Sequence, residues 1–223
     1  MSQSPTPALE AKANTLREIA LEVGACTRCD LYKHALKGVP GEGDPNADVL
    51  LIGEAPGFHE NQQGRPFVGA AGQFLEQLLG SVGLTRKDVF IANVVKHRPP
   101  ENRDPLPDEI AACVPYLERQ IEAIDPKVIV TLGRFSMSYF FPGEKISRIH
   151  GAPRRHGKRL ILPMYHPAAA LHQGSLRRVV EEDFLKVPQA LAEARTLATA
   201  TPEAPSAAGA PKPADPPKQL TLF

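Results

Sequence analysis

Seven residues of this 223-residue chain have types and spacings suited to chemistry: an acid, Glu54; an amide, Asn93; two histidines, His97 and His166; and three cysteines, Cys26, Cys29 and Cys113. Glu54 stands in the stretch LLIGEAPGFHENQQGRPFVGAAGQFLEQLL, Leu50 to Leu79, which reads as a buried strand, a glycine-rich loop and an amphipathic helix. Gly53, Gly57, Gly64, Gly69 and Gly72 allow close backbone approach to a ligand, and Pro56 and Pro66 stiffen the loop. That layout suits a small-molecule pocket at the carboxyl end of a strand.

Cys26 and Cys29, in CTRC, have the spacing that presents two thiolates to one metal. Cys113 and His97 lie further on and complete a possible Cys₃His set. Structural zinc would accept that set, and an iron–sulfur cluster can also take histidine in place of cysteine, so spacing leaves both open. A thioredoxin-like redox role fits less well, because this CxxC precedes the first strand instead of following one. Three unrelated buried cysteines are the plain alternative.

The elements that must position these groups follow from periodicity. Ala8 to Val23 has helical spacing of apolar residues, and Gly24 stops it. Short apolar runs at Asp48–Gly53, Val89–Val95, Lys127–Gly133 and Arg159–Met164 are expected strands, with helices at Asp108–Ile124 and Arg134–Phe141. KHRPPENRDPLPDE, with four prolines, is expected to be an irregular loop. Runs of β separated by helix predict a three-layer α/β/α fold around a mostly parallel four-stranded sheet. Gly53-Glu54, Asn93, Gly133 and His166 end those runs and would converge at one sheet edge. The plain alternative is that Asn93 and His166 tie down their own loops.

Composition bounds the partners. The formal charge of +1 argues neither for nor against nucleic acid, but residues 145–178 carry eight Lys or Arg and no acid, a plausible phosphate-facing surface. No run of about 18 apolar residues and no secretory signal is found, which leads to an expected cytosolic (cytoplasmic) location and argues against a disulfide framework.

With these residues in view, GEAPGFHENQQGRPFVGAAG, IANVVKHRPP, NRDPLPDEIAAC and MYHPA resemble, in order and spacing, the family 4 uracil-DNA glycosylases, which carry a [4Fe–4S] cluster. The resemblance covers Cys26 to Leu185. It implies the uracil-DNA glycosylase-like fold and excision of uracil from DNA by hydrolysis of the N-glycosidic bond, after the nucleotide is flipped out of the stack, to start base-excision repair. Phe67 would stack on uracil, Asn93 would read its edge, and the Gly53–Gly57 peptides, Ala55 among them, would line the pocket. Glu54 would position water or stabilise the oxocarbenium-like sugar, and His166 would stabilise the departing uracil anion. Ala55 occupies a place where family 1 enzymes have a water-activating aspartate. Leu171 would fill the gap left by the flipped base, with Arg177 and Arg178 beside phosphates. Cys26, Cys29, Cys113 and His97 would hold the cluster, with His97 replacing the cysteine of the family's KCRPP motif. A related branch that attaches covalently to DNA carries a KRRIH insertion absent here, so ordinary turnover is expected. Ala55 and His97 keep a second reading, a catalytically weakened iron–sulfur DNA-binding or redox-sensing protein.

These readings divide the chain into a domain at 1–199, a disordered Pro/Ala-rich linker at 200–218 and a terminal peptide at 219–223. The last five residues, QLTLF, resemble the bacterial sliding-clamp-binding peptide QLxLF, with Gln219, Leu220, Leu222 and Phe223 as the contacts. A monomer is expected.

Overall fold

A computed structural model describes residues 6–199. Thr6 caps the first helix, α1 (Pro7–Gly24), by accepting the Leu9 N–H, and Pro7 sits at its first position, where a missing N–H costs nothing. Strands β1 (Glu42–Gly43) and β2 (Val49–Gly53) follow, then helices α2 (Phe58–Gln63) and α3 (Ala70–Ser81). Next come β3 (Phe90–Asn93), α4 (Pro107–Ile124), β4 (Val128–Leu132), α5 (Arg134–Phe140) and α6 (Ile146–Ile149). The described chain closes with β5 (Arg154–His156), β6 (Arg159–Met164), α7 (Pro167–His172), α8 (Gly174–Phe184) and α9 (Val187–Thr199).

The sheet has six strands in the order β1-β3-β2-β4-β6-β5, where the sequence predicts four. The four expected strands form its parallel interior, and the two additions pair antiparallel at its edges. Both edge strands are two or three residues long and polar, so no apolar run announces them; their charged side chains suit an edge that must not recruit another chain. The inner strands are almost wholly buried because both faces are covered. Val49 and Leu51 pack on one side with α3, α8 and α9, while Leu50 and Ile52 pack on the other with α4 and α5. Helix α1 lies outside α4, where Ile19 and Val23 meet Tyr116.

Register decides where the carboxyl ends fall. Gly53 pairs with Asn93 and Leu132 with Met164, so Glu54, Asn93, Gly133 and His166 leave the sheet at the same edge. The proline-rich segment is not wholly irregular. It contains a short 3₁₀ turn, Pro100–Asn102, in which Glu101 and Asn102 both adopt left-handed backbone angles (φ 54° and 55°).

Candidate active site

At this edge lies a cavity of about 360 Å³, bordered by Glu54, Gly57, Phe67, Asn93 and His166 together with the start of α7. Asn93 is buried, and its Oδ1 has no hydrogen-bond partner among the described residues. A buried acceptor left unpaired is costly, so its presence marks a place for a donor from outside. The Phe67 and His166 rings, both bordering the cavity, are stacked with centroids 5.5 Å apart at 24°. Gly53 makes this possible: a Cβ there would collide with Asn93 Oδ1 and come within 2.7 Å of the Phe67 ring.

Phe67 itself is held in a left-handed conformation (φ 52°), which costs energy for a bulky residue and persists only when its surroundings fix it. Three neighbours do so. Arg86 donates to the carbonyls of Phe67 (2.9 Å) and Pro66 (2.6 Å), and is itself paired with Glu42 at 2.6 Å. Gly72, in the first turn of α3, leaves room for the Phe67 carbonyl, which a Cβ would overlap. Glu60 accepts from the N–H groups of Val68 (2.8 Å), Gly69 (2.9 Å) and Gly57 (3.1 Å), tying both sides of the loop together. Sequence reasoning missed Glu60 and Arg86. Glu60 had a signal, an acid at the third position of a helix opening at Gly57; Arg86, distant in sequence, had none.

Glu54 and His166 are shifted in opposite directions. Burial, then the charge of Asp104, raises the Glu54 carboxyl to about 7, with Arg134 opposing. Burial depresses His166 to about 4, so its ring is neutral at ordinary pH. His166 also caps α7, its Nδ1 accepting the Ala168 N–H at 3.1 Å. In the neutral ring the other nitrogen, Nε2, then carries the hydrogen and is a donor.

Cys26, Cys29 and Cys113 share one electrostatic neighbourhood, and burial raises the Cys113 thiol to about 11. The backbone N–H of Lys96 donates to Cys113 Sγ at 3.4 Å. His97 is buried, which lowers its pKa, and its ring packs against Gly38. Among the described residues, no three His, Cys, Asp or Glu side chains are gathered so as to hold one metal ion. Beside them Lys96 is fully buried, its ammonium donating to the Asn93 carbonyl (2.8 Å) and Gln120 Oε1 (2.7 Å). Burial depresses it to about 7. Nothing in the local sequence distinguished this lysine from a surface one.

The remaining expected site residues lie on α7 and α8. Leu171 is 43% exposed, not an interior helix residue. Arg177 pairs with Glu181 at 2.9 Å and Arg178 with Glu182 at 2.7 Å. The basic run is thus less bare than its sequence implies, since Arg154 meets Glu144 and both Lys158 and Arg159 meet Asp125. The segments 200–218 and 219–223, with Gln219, Leu220, Leu222 and Phe223, lie outside the described residues.

A pocket at the carboxyl edge of a parallel sheet, with these motifs around it, defines a class. Residues 40–191 match the model of the uracil DNA glycosylase superfamily, and the chain belongs to that superfamily. Within it, the chain groups with type-4 uracil-DNA glycosylases. That of Saccharolobus solfataricus is 51% identical over 78% of this chain and 85% of its own length, and that of Thermotoga maritima 45% identical over 77% and 92%. A type-5 uracil-DNA glycosylase of Thermus thermophilus is 36% identical over 72% of this chain and 80% of its own length.

Proposed function

We propose that this chain is a monofunctional uracil-DNA glycosylase, a hydrolase that flips uracil out of DNA and cleaves its N-glycosidic bond with water, opening base-excision repair. The observation that carries the reading is the unpaired Asn93 Oδ1 beside the Phe67 and His166 rings. Uracil presents an N–H flanked by carbonyls, so one amide accepts from N3 and donates to O4 while Phe67 covers the face. Cytosine reverses both polarities at that edge and would leave Asn93 mispaired, the kind of mismatch that gives strong rejection. Gly53, Ala55 and Gly57 line the rest.

As the C1′–N1 bond breaks, its electron pair stays on uracil, and charge grows on the carbonyl facing His166. A neutral Nε2–H, aimed by the Ala168 hydrogen bond, meets that charge without carrying one of its own. Water bonds to C1′ and gives its proton to the Glu54 carboxylate, whose raised pKa makes it an able acceptor near neutrality. Glu54 thus does the work that Ala55 cannot. Leu171, exposed on α7, would occupy the space vacated in the stack. Arg177 and Arg178 would exchange their glutamate partners for phosphates.

The cofactor reading is a [4Fe–4S] cluster on Cys26, Cys29, Cys113 and His97. Its support is the shared neighbourhood of the three sulfurs, the N–H donated to Cys113 Sγ and a buried, neutral imidazole on the same loop. Structural zinc on the same four residues is the alternative. The cluster would supply structural cross-linking of α4 to the amino-terminal loop. The terminal peptide, through Gln219, Leu220, Leu222 and Phe223, would tether a monomeric enzyme to the bacterial sliding clamp in the cytosol and nucleoid. No described helix is long and apolar enough to cross a membrane.

The test is release of free uracil from a uracil-containing oligonucleotide, with Glu54→Gln as comparison. The substitution should cost about 10²- to 10⁴-fold in kcat. Wild-type protein that binds the oligonucleotide but frees no base would instead support a DNA-binding role. A denaturing gel of the same reaction should show no stable protein–DNA band, as expected without the KRRIH insertion.

A further inference from the structure

Phe58 is the first residue of α2 and directly follows Gly57, which lines the pocket, yet it is 52% exposed. Its ring is not idle. The Arg98 guanidinium lies 5.4 Å from its centroid, and Arg98 Nε donates to Asn102 Oδ1 at 2.7 Å. Asn102 also lines the pocket and is held in a left-handed conformation. The result is a preassembled chain of contacts from ring to cation to amide beside the pocket. Among the described residues Arg98 has no ion pair, whereas Arg177 and Arg178 are each matched to a glutamate. A half-exposed aromatic ring, held by a T-shaped contact with His59 and backed by an unneutralised guanidinium, matches one ligand chemistry above others, a nucleobase with its phosphate. The other element beside the pocket, α7, contributes Ala168 and Ala169 to the wall and carries Leu171.

We propose that Phe58 and Arg98 form a second nucleotide-binding site, in which Phe58 stacks on the base next to the flipped uridine in the same strand and Arg98 contacts its phosphate. Leu171 and Phe58 then hold the strand from two lips, one filling the vacancy and the other pinning the neighbour. Phe58 acts on positioning and not on the bond that breaks. The inference rests on uracil entering the pocket as proposed above.

Single-stranded oligonucleotides with one uracil test it, each flanking base in turn being natural or replaced by an abasic tetrahydrofuran. Phe58→Ala should raise KM about 5- to 100-fold on the natural substrate, with kcat near that of the unaltered enzyme. On one of the two abasic-flanked substrates the same substitution should have no further effect, because the base it acts on is gone. Phe58→Trp should restore KM. Arg98→Gln should flatten the salt dependence of KM by one phosphate contact, about 0.7 in the logarithmic slope for a single strand. Inhibition by free uracil should be unchanged in Phe58→Ala. Equal KM for Phe58→Ala and the unaltered enzyme, an equal loss on all three substrates, or weakened inhibition by free uracil would each overturn the proposal. No uracil release by the unaltered protein would overturn the glycosylase reading instead, and this one with it.

Discussion

Glu54 and His166 face one cavity, yet burial makes the acid harder to ionise and the imidazole harder to protonate. Both effects disfavour charge in a site that must stabilise charge only as it forms. A consequence is a pH profile with one governing group. kcat/KM should rise with pH through about 7 as Glu54 ionises, and His166 should add no inflection between about 5 and 8. Asp104→Asn removes a carboxylate that raises the Glu54 pKa, so it should move that inflection to lower pH. An unmoved inflection would mean the profile reports some other group. Stability carries the same signature with a definite sign. A folded pKa raised above the ordinary 4.5 means that the stabilisation from Glu54 is full below about 4.5 and is lost as the pH climbs through about 7. Urea midpoints of Glu54→Gln should lack that decline.

Among the elements, the loop from α2 to α3 does most to shape the pocket, and its shape depends on a few polar anchors. Glu60 closes the loop on itself through three N–H groups, and Arg86 clamps the two peptide groups on either side of Phe67 from outside through their carbonyls. Glu60→Gln can keep only part of that set, because an amide nitrogen cannot accept. Hydrogen bonds to a charged group are worth about 1.5–3 kcal/mol, less where solvent reaches them. The variant should melt a few degrees lower and bind free uracil more weakly, measured by inhibition. A lower melting temperature with unchanged inhibition would show that Glu60 stabilises the loop without positioning Phe67. Strand β3 is anchored comparably from behind. Lys96 ties the Asn93 carbonyl to Gln120 on α4, the helix that carries Cys113, so the base-reading end of β3 and the cysteine region share one buried amine.

For the whole molecule, the cysteines lie on two separated stretches of chain, the CTRC segment and α4, and a cofactor held by them and His97 would cross-link these to a third. Anaerobically purified protein should show a broad absorbance near about 400 nm with iron and sulfide on analysis. Cys113→Ser should lose the band and melt at lower temperature, while His97→Cys should keep it. A colourless protein containing one zinc would replace the cluster reading with the structural-zinc one. At the other end of the chain, deletion of residues 219–223 should abolish capture by the bacterial sliding clamp and leave uracil release from naked oligonucleotides intact. Loss of activity on that deletion would make the tail part of the fold.

Much of this was legible in the residues themselves. Nearly continuous apolar runs at 49–53, 128–132 and 160–164 specify buried parallel strands, and turn residues after each run specify where loops leave, because burial on both faces admits no polar alternation. Motifs long enough to be specific carried Glu54, Phe67, Asn93 and His166 by type and order. What sequence could not supply was anything set by long-range contact. The edge strands β1 and β5 exist only because β3 and β6 offer unpaired backbone. The opposite pKa shifts of Glu54 and His166 come from burial and from Asp104, none of which is written beside them. Nor could Lys96 be distinguished from a solvated lysine until α4 closed over it, or the basic run from a bare one until Asp125, Glu144, Glu181 and Glu182 were placed against it. Local pattern fixes which residues can form a strand or a loop. Desolvation and charge pairing depend on what packs against them, and only the tertiary structure decides that.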